Sequence, residues 1–154
     1  MAGEVVAAGR GVTRFSAGDR VTTETHVPCG KCFYCLHDRQ HVCLHLESFA
    51  QKMGGVFAEY CRVPESTARK LPPGVSYRLG SMFEPLGVAV RAVLEAGCQG
   101  HSLLVTGCGP IGAMAVGVAR ALGAGPIFAA EIVPERLRMA LQMGADYPLG
   151  GAVP

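Results

Sequence analysis

Apolar runs in the second half of the chain alternate with amphipathic stretches at helical spacing. Short apolar runs between turn residues are typical of buried strands, whereas apolar residues three and four positions apart are typical of helices. The pattern predicts helices over Phe83–Ala96, Pro110–Leu122 and Pro134–Met143, with strands over Ser102–Thr106 and Ile127–Ala130 and a third strand that begins over Asp146–Leu149. Strands that alternate with helices indicate an α/β fold with a parallel sheet.

The first half of the chain has short alternating runs that glycine and proline interrupt. They predict strands over 4–9, 20–25 and 56–63, with a turn at Gly18-Asp19. The pattern changes near residue 76. We therefore expect a mostly β domain over residues 1–77, which contains a cysteine-rich lobe at 28–47, and an α/β domain over 78–154.

Composition and charge exclude several classes of protein. With 49% hydrophobic and 17% charged residues among 154, the chain can bury a core and is not disordered. Its net charge of +2 is too small to indicate a nucleic-acid partner. No apolar run reaches membrane-spanning length, and the first eleven residues lack the plan of a signal peptide. Seven cysteines without export signals predict a protein of the reducing cytosol.

Four of the cysteines have the spacing C-x2-C-x2-C-x7-C. They are Cys29, Cys32, Cys35 and Cys43. Four thiolates that converge in this way make the closed tetrahedral site that zinc prefers in a structural role, although disulfides or free thiols remain alternatives. The other three, Cys61, Cys98 and Cys108, are expected to be small core residues.

The segment GCGPIG, residues 107–112, follows a predicted strand and opens a predicted helix. In this context G-x-G-x-x-G indicates dinucleotide binding, because Gly107 permits the tight turn and Gly109 lets a pyrophosphate approach. Gly112 lets the helix pack on the strand, and the helix N-terminus offers free N–H groups to the phosphates. The alternative is a structural turn without a ligand.

Glu131 lies 19 residues beyond Gly112, at the end of the next predicted strand. A carboxylate there accepts hydrogen bonds from both ribose hydroxyls and repels a 2′-phosphate, which favours NAD over NADP. A solvated acid at a strand end is the alternative. Arg136 in the following helix is a candidate contact for the adenosine side, or a surface arginine.

Several segments resemble the zinc-dependent medium-chain dehydrogenase/reductase family, of the alcohol dehydrogenase kind. They are the cysteine lobe, EPLGVAV (84–90) and the glycine turn. Together with ETHVPCGKC (24–32), GGVFAEY (54–60) and VTGCGPIG (105–112), they are most similar to L-threonine 3-dehydrogenases, with sorbitol and butanediol dehydrogenases close behind.

The resemblance implies a partial GroES-like β domain followed by the first half of a Rossmann nucleotide-binding domain. It implies Zn²⁺ and NAD as cofactors, and a secondary alcohol such as threonine or a polyol as the small-molecule substrate. Members of the family are usually homo-oligomers.

Site residues follow from the resemblance position by position. It implies a structural zinc held by Cys29, Cys32, Cys35 and Cys43. Glu84 matches a ligand or near-ligand of the catalytic zinc, and His26 matches a histidine near the substrate. For Glu84 a charge at a helix N-terminus, and for His26 a surface histidine, remain alternatives. The predicted cofactor-binding residues are Gly107, Gly109, Pro110, Ile111, Gly112, Glu131 and Arg136.

Departures from the family pattern set further expectations. The family's catalytic zinc also needs an upstream cysteine and a Gly-His-Glu just before the strand that begins here with AGEVV. We therefore expect a middle fragment, truncated at both ends, without dehydrogenase turnover of its own. The stretch ESFAQKMGG (47–55) also differs from the family pattern.

Two hypotheses from other classes remain open. The cysteine lobe is also compatible with a zinc-ribbon module that binds nucleic acid or protein, although the few basic residues near it disfavour this. The second hypothesis is a nucleotide-binding relative that has lost catalysis.

Overall fold

The chain divides into two compact units, Met1–Glu84 and Pro85–Pro154. The computed structural model describes residues 1–49 and 54–150. Part of the divergent stretch 47–55 therefore lies outside the described residues, and the domain boundary predicted at residues 77 and 78 stays a prediction. Within the described ranges, no helix has both the length and the apolar character needed to cross a membrane.

The first unit is built on short antiparallel strands. The larger sheet has the order β1-β2-β5, and the smaller sheet pairs β3 with β4. The strands are β1 (Ala2–Glu4), β2 (Arg20–Thr23), β3 (His26–Val27), β4 (Glu47–Ser48) and β5 (Ala68–Lys70). The described part of the unit also contains the short helices α1 (Phe33–Leu36) and α2 (Tyr77–Gly80).

The predicted turn at Gly18-Asp19 leads into β2 and is present. Gly18 has φ +91°, a conformation that favours glycine, and the carboxylate of Asp19 accepts the N–H of Ser16 at 2.9 Å. The same carboxylate pairs with Lys70 at 2.9 Å and so ties the turn to β5. These contacts hold the pKa of Asp19 below its ordinary value, chiefly through the hydrogen bond from Lys70.

Two strand predictions for this unit are wrong. The first strand lies at a different position from the predicted one, and the strand predicted over 56–63 is absent. The strand expected over 4–9 ends at Glu4, because Val5 instead exchanges backbone hydrogen bonds with Gly18 and Asp19. Residues 56–63 form no strand, since alternation alone gives no ladder partner. This segment and residues 1–9 line a groove of about 800 Å³, beside which Phe57 is fully exposed.

The second unit contains the predicted parallel sheet. Its strands have the order β6-β7-β8, with Leu103 opposite Ile127 and Phe128 opposite Tyr147. The elements are α3 (Phe83–Ala96), β6 (Leu103–Thr106), α4 (Pro110–Ala121), β7 (Ile127–Glu131), α5 (Pro134–Gln142) and β8 (Tyr147–Gly150). The boundary between the two units falls within α3, after Glu84. All six lie within two residues of their predicted positions.

The core of the second unit consists of small side chains between β7 and its neighbouring helices. Ile127 and Ala129 are fully buried, as are Val116 and Ala119 of α4 and Ala140 of α5. Small residues let the helices approach the sheet closely. Cys98 and Cys108 are buried as predicted, whereas Cys61, expected in a core, is exposed.

We predict that Ile127→Ala destabilises the second unit by about 2–5 kcal/mol, because the fully buried side chain leaves a cavity in a tightly packed core. Chemical denaturation measures the free energy of unfolding. The matched control is Ile132→Ala, where the same side chain is 76% exposed and the expected change is within about 0.5 kcal/mol. Equal losses in the two variants would contradict the packing described here.

Candidate functional site

Residues 28–47 wrap the four spaced cysteines around a common centre. Cys29 and Cys32 precede α1, Cys35 lies within it, and Cys43 follows a 3-10 turn at Gln40–Val42. Backbone N–H groups of Cys29 and His45 each donate to the sulfur of Cys43 at 3.3 Å. The lobe therefore holds its sulfurs with main-chain donors as well as side-chain packing.

The separation of the four sulfurs fits a tetrahedral metal site. Cys32 Sγ lies 3.6 Å from Cys35 Sγ and 3.8 Å from Cys43 Sγ, and Cys29 Sγ lies 4.0 Å from Cys35 Sγ. Zinc–sulfur bonds of about 2.3 Å in a tetrahedron require sulfurs about 3.8 Å apart. A disulfide requires about 2.05 Å, and all seven cysteines are free. The donor set and its spacing therefore fit Zn²⁺.

The sulfurs of the lobe differ in how readily they ionise. The N–H groups of Cys35 and then Leu44 lower the pKa of Cys32 to about 6. Burial, together with the neighbouring sulfur of Cys32, raises the pKa of Cys35 to about 12. The N–H of Lys31 lowers the pKa of Cys29. Because metal ligation requires thiolates, a divalent cation at the centre offsets the cost of ionising the buried Cys35.

The glycine turn in the second unit joins β6 to α4. Gly107 has φ +81°, and its N–H donates to the carbonyl of Ala130 at 2.8 Å. Gly109 is the N-cap of α4, and Pro110 occupies the first helical turn, where its missing N–H costs no hydrogen bond. The turn thus presents the N-terminus of a twelve-residue helix to an incoming ligand.

The three glycines of the turn have different surroundings. A Cβ on Gly112 would lie 1.9 Å from the carbonyl oxygen of Gly107, which no side chain tolerates. A Cβ on Gly109 would meet no atom within 4 Å, so the space beside this residue is open. Open space next to a helix N-terminus is the shape that a pyrophosphate needs. The turn therefore fits a dinucleotide.

Glu131 ends β7 and is 9% exposed. Its Oε2 accepts the N–H of Cys108 at 2.9 Å, and its Oε1 accepts the N–H groups of Ile132 and Val133 at 2.8 and 3.0 Å. These donors, with Val133 foremost, hold its pKa below the ordinary value. Glu131 is therefore a carboxylate at the glycine turn, and it stays ionised at neutral pH.

The other predicted cofactor residues lie around this turn. Pro110 and Ile111 are exposed in the first turn of α4, and Arg136 is exposed near the start of α5. The charge of Arg136 contributes to the lowered pKa of Glu131, which places the guanidinium in the field of that carboxylate. The structure thus brings the glycine turn, Glu131 and Arg136 into one neighbourhood.

In the first unit, the structure places His26 and Glu84 close together. Glu84 lies in the first turn of α3, half-buried, and accepts a hydrogen bond from Thr25 Oγ1 at 3.1 Å. His26 begins β3, and its Nδ1 lies 3.4 Å from the same hydroxyl. A second carboxylate, Glu24, lies 3.0 Å from His26 Nδ1.

Glu24 and Thr25 were not among the predicted site residues. The signal that points to Glu24 is its spacing from His26, since residues two apart lie on the same face of an extended chain. Thr25 lies in the bend between β2 and β3, and its contact with Glu84 depends on the tertiary fold. Spacing alone therefore finds the first residue and not the second.

We predict that Cys35→Ser abolishes the metal content of the lobe, because a serine hydroxyl is a poor ligand for a cation that three thiolates hold. Elemental analysis after dialysis measures zinc per chain, with one zinc expected for the unaltered chain. Cys61→Ser is the control, since Cys61 is exposed and lies outside the lobe. Zinc retained in Cys35→Ser, or lost equally from both variants, would rule out the four-sulfur site.

Comparison with known proteins gives consistent matches. Residues 1–73 match the alcohol dehydrogenase GroES-like domain. L-threonine 3-dehydrogenase from Thermococcus kodakarensis is 44% identical over 147 residues, which is 96% of this chain and 42% of that protein. The chain therefore spans about two fifths of the length of the curated relatives it matches.

Solved structures agree with these matches. An alcohol dehydrogenase from Escherichia coli CFT073, complexed with NADH, has a TM-score of 0.91 at 31% sequence identity. The superposition covers 98% of this chain and 45% of that protein's chain. Alcohol dehydrogenase from Thermus sp. ATN1 has a TM-score of 0.85 at 34% identity, with 97% and 45% covered. The predicted fold class is confirmed, with a GroES-like β domain followed by a Rossmann-like parallel sheet. Residues 1–73 therefore belong to the alcohol dehydrogenase GroES-like domain family, and the chain is similar over nearly its whole length to zinc-dependent medium-chain dehydrogenases.

Proposed function

We propose that the chain is part of a zinc-containing, NAD-dependent oxidoreductase that oxidises a secondary alcohol, threonine or a polyol. The observation that carries this proposal is the glycine turn, where open space beside Gly109 adjoins the ionised carboxylate of Glu131. Similarity to alcohol dehydrogenases supports the reaction class, and similarity to L-threonine 3-dehydrogenases supports the substrate class.

Free N–H groups at the start of α4, together with the positive end of that helix, would bind the pyrophosphate, while Gly107 makes the tight turn that leads into the helix. Gly112 keeps α4 against the carbonyl of Gly107, and Gly109 leaves the approach clear. Pro110 and Ile111 lie in the first turn of α4. Proline has no backbone N–H, so Pro110 leaves no unpaired donor at a position where the helix itself offers no acceptor. The turn therefore orients the cofactor and has no chemical role of its own.

Glu131 selects the form of the cofactor. Its oxygens accept three backbone N–H bonds, two at Oε1 and one at Oε2, so Oε2 keeps lone-pair capacity for a ribose hydroxyl. A 2′-phosphate at the same place would face a buried, ionised carboxylate, and like charges at short range in a partly desolvated site repel strongly. Arg136, whose charge contributes to the lowered pKa of Glu131, is the candidate contact for the adenosine side.

The lobe and the cluster around Glu84 have separate roles in this proposal. Four sulfurs saturate a tetrahedral cation, so the lobe leaves no open position and stabilises the fold. Glu84 would contribute to a catalytic metal and His26 would lie beside the substrate. When bound, such a metal polarises the alcohol oxygen and NAD accepts the hydride. Thiolate ligands also persist best in a reducing compartment such as the cytosol, where we propose the protein acts.

We predict that Gly109→Ala abolishes detectable NAD binding and leaves stability within about 0.5 kcal/mol of the unaltered chain. The added methyl meets no protein atom, and it fills the space that a pyrophosphate would occupy. Isothermal titration with NAD measures the first effect, and chemical denaturation measures the second.

Gly112→Ala is the matched comparison, because the same methyl group there collides with the carbonyl of Gly107. It should destabilise the second unit by about 1–3 kcal/mol. Undiminished NAD binding by Gly109→Ala would count against the cofactor site, whereas two equally unstable variants would count against the described turn.

We predict that Glu131→Gln lowers the ratio of NAD affinity to NADP affinity about tenfold, which corresponds to about 1.4 kcal/mol of relative binding free energy. The amide keeps one acceptor oxygen for the backbone donors and removes the negative charge that faces a 2′-phosphate. Titrations with both cofactors give the ratio of dissociation constants. Glu135→Gln, an exposed acid in the first turn of α5, is the control and should leave the ratio unchanged. A preference for NADP in the unaltered chain would overturn the role given to Glu131.

A further inference from the structure

The cysteine lobe is the connection between β3 and β4. Val27, just before the lobe, and Glu47, at its end, lie opposite each other in the small sheet. Cys29 follows Val27 by two residues, and His26 precedes Val27 in β3. The lobe therefore closes the sheet that carries His26, and a change in the lobe acts at the end of that strand.

Two of the four sulfurs stand in an arrangement that permits a direct bond between them. The Sγ atoms of Cys32 and Cys35 lie 3.6 Å apart, and both residues belong to one short turn, with Cys32 as the N-cap of α1 and Cys35 within it. Their C-x-x-C spacing is the one that dithiol/disulfide oxidoreductases use. A sulfur–sulfur bond of about 2.05 Å thus requires an approach of about 1.5 Å and no long-range movement.

Other pairings of the four sulfurs are less favourable. Cys43 Sγ lies 3.8 Å from Cys32 Sγ, but it accepts N–H groups of Cys29 and His45, and a bond to Cys32 would disturb both contacts. Cys29 Sγ lies 4.0 Å from Cys35 Sγ, and five residues separate the two in sequence. The geometry therefore favours a bond between Cys32 and Cys35.

The two sulfurs of this pair differ in their accessibility. Cys32 is half-buried, whereas Cys35 is 8% exposed. Cysteines that ligate a metal are thiolates, and the thiolate is the form that reacts with peroxides. Since reactivity toward peroxides also follows exposure, a small oxidant reaches Cys32 first and leaves Cys35 as the nearby second thiolate.

We propose that hydrogen peroxide converts Cys32 and Cys35 into a disulfide and thereby empties the metal site of the lobe. The Cys32 thiolate attacks one peroxide oxygen and breaks the O–O bond, which gives a sulfenic acid and hydroxide. The Cys35 thiolate then attacks the sulfenic sulfur, forms the S–S bond and expels a second hydroxide. The two sulfurs together lose the two electrons that the peroxide gains.

The disulfide removes two of the four ligands of the lobe. Only Cys29 and Cys43 remain as thiolates, whereas a structural zinc site needs four ligands. The connection between β3 and β4 then loses the cross-link at its centre, and the end of the strand that carries His26 is held less firmly. A thiol reductant reverses the bond, so the lobe is a redox-sensitive switch as well as a structural element, which goes beyond the proposed oxidoreductase function.

The test treats the zinc-loaded full chain with hydrogen peroxide and measures both products. A chromogenic chelator reports the zinc released, and alkylation of the remaining thiols before digestion with trypsin maps the disulfide. Trypsin cleaves after Lys31 and Arg39, so Cys32 and Cys35 share the peptide 32–39, which contains no other cysteine. We expect one unalkylated peptide 32–39, lighter by two hydrogen atoms, for each zinc released, and recovery of bound zinc after dithiothreitol and zinc are added.

Cys61→Ser is the matched control, because Cys61 is an exposed thiol outside the lobe and its removal should leave the rate and amount of zinc release unchanged. The buried Cys98 and Cys108 should remain alkylatable after unfolding and serve as internal references. The inference is overturned if zinc stays bound while Cys61 is oxidised, or if the disulfide joins peptide 32–39 to another peptide. Zinc release with sulfinic acids that dithiothreitol does not reverse would overturn it as well.

Discussion

The close approach of helix α4 to the carbonyl of Gly107 is the constraint on which the second unit depends. The absence of a side chain at Gly112 permits it, since a Cβ there would lie 1.9 Å from that oxygen. This contact sets the depth at which α4 lies on the sheet, and so determines which residues of α4 meet β7. Val116 and Ala119 are consequently fully buried, and the helix N-terminus opens beside Gly109. One missing methyl group thus determines both the packing of the core and the access to the turn.

The first unit is held together differently from the second. Its strands have two to four residues each, so they form few hydrogen bonds between strands. Side-chain to backbone contacts fix its segments instead. The hydroxyl of Thr22 donates to the carbonyl of Gly80 at 2.9 Å, and the guanidinium of Arg20 donates to the carbonyl of Val75 while lying over the ring of Tyr77. The lobe of residues 28–47 uses sulfur in the same way, with main-chain donors to Cys43.

The sequence predicted the second unit closely because its elements follow from local information. The helices have apolar periodicity and end at glycines, and the strands are short apolar runs such as IFAAE. The absence of the predicted strand over 56–63 has a physical explanation. Alternation of apolar and polar residues predicts which face of a strand each side chain would occupy, but it does not supply a second strand to accept the hydrogen bonds. Glu24 and Thr25 lacked a strong signal for a related reason. These residues matter because the fold brings them close to Glu84, which is about sixty positions away in sequence. The local sequence around residues 24–26 cannot predict such a long-range contact.

The hydrogen bonds of Glu131 have a consequence for how cofactor preference changes in proteins of this kind. The carboxylate anchors the turn through the N–H of Cys108 before any nucleotide arrives, so recognition and architecture share one side chain. A lineage that shifts to the phosphorylated cofactor therefore has to replace an anchor as well as a charge. A single substitution at this position that removes the carboxylate leaves the buried N–H of Cys108 unpaired, which costs stability. A second change that supplies a new acceptor for this N–H offsets that cost, so cofactor preference and stability of the turn change together.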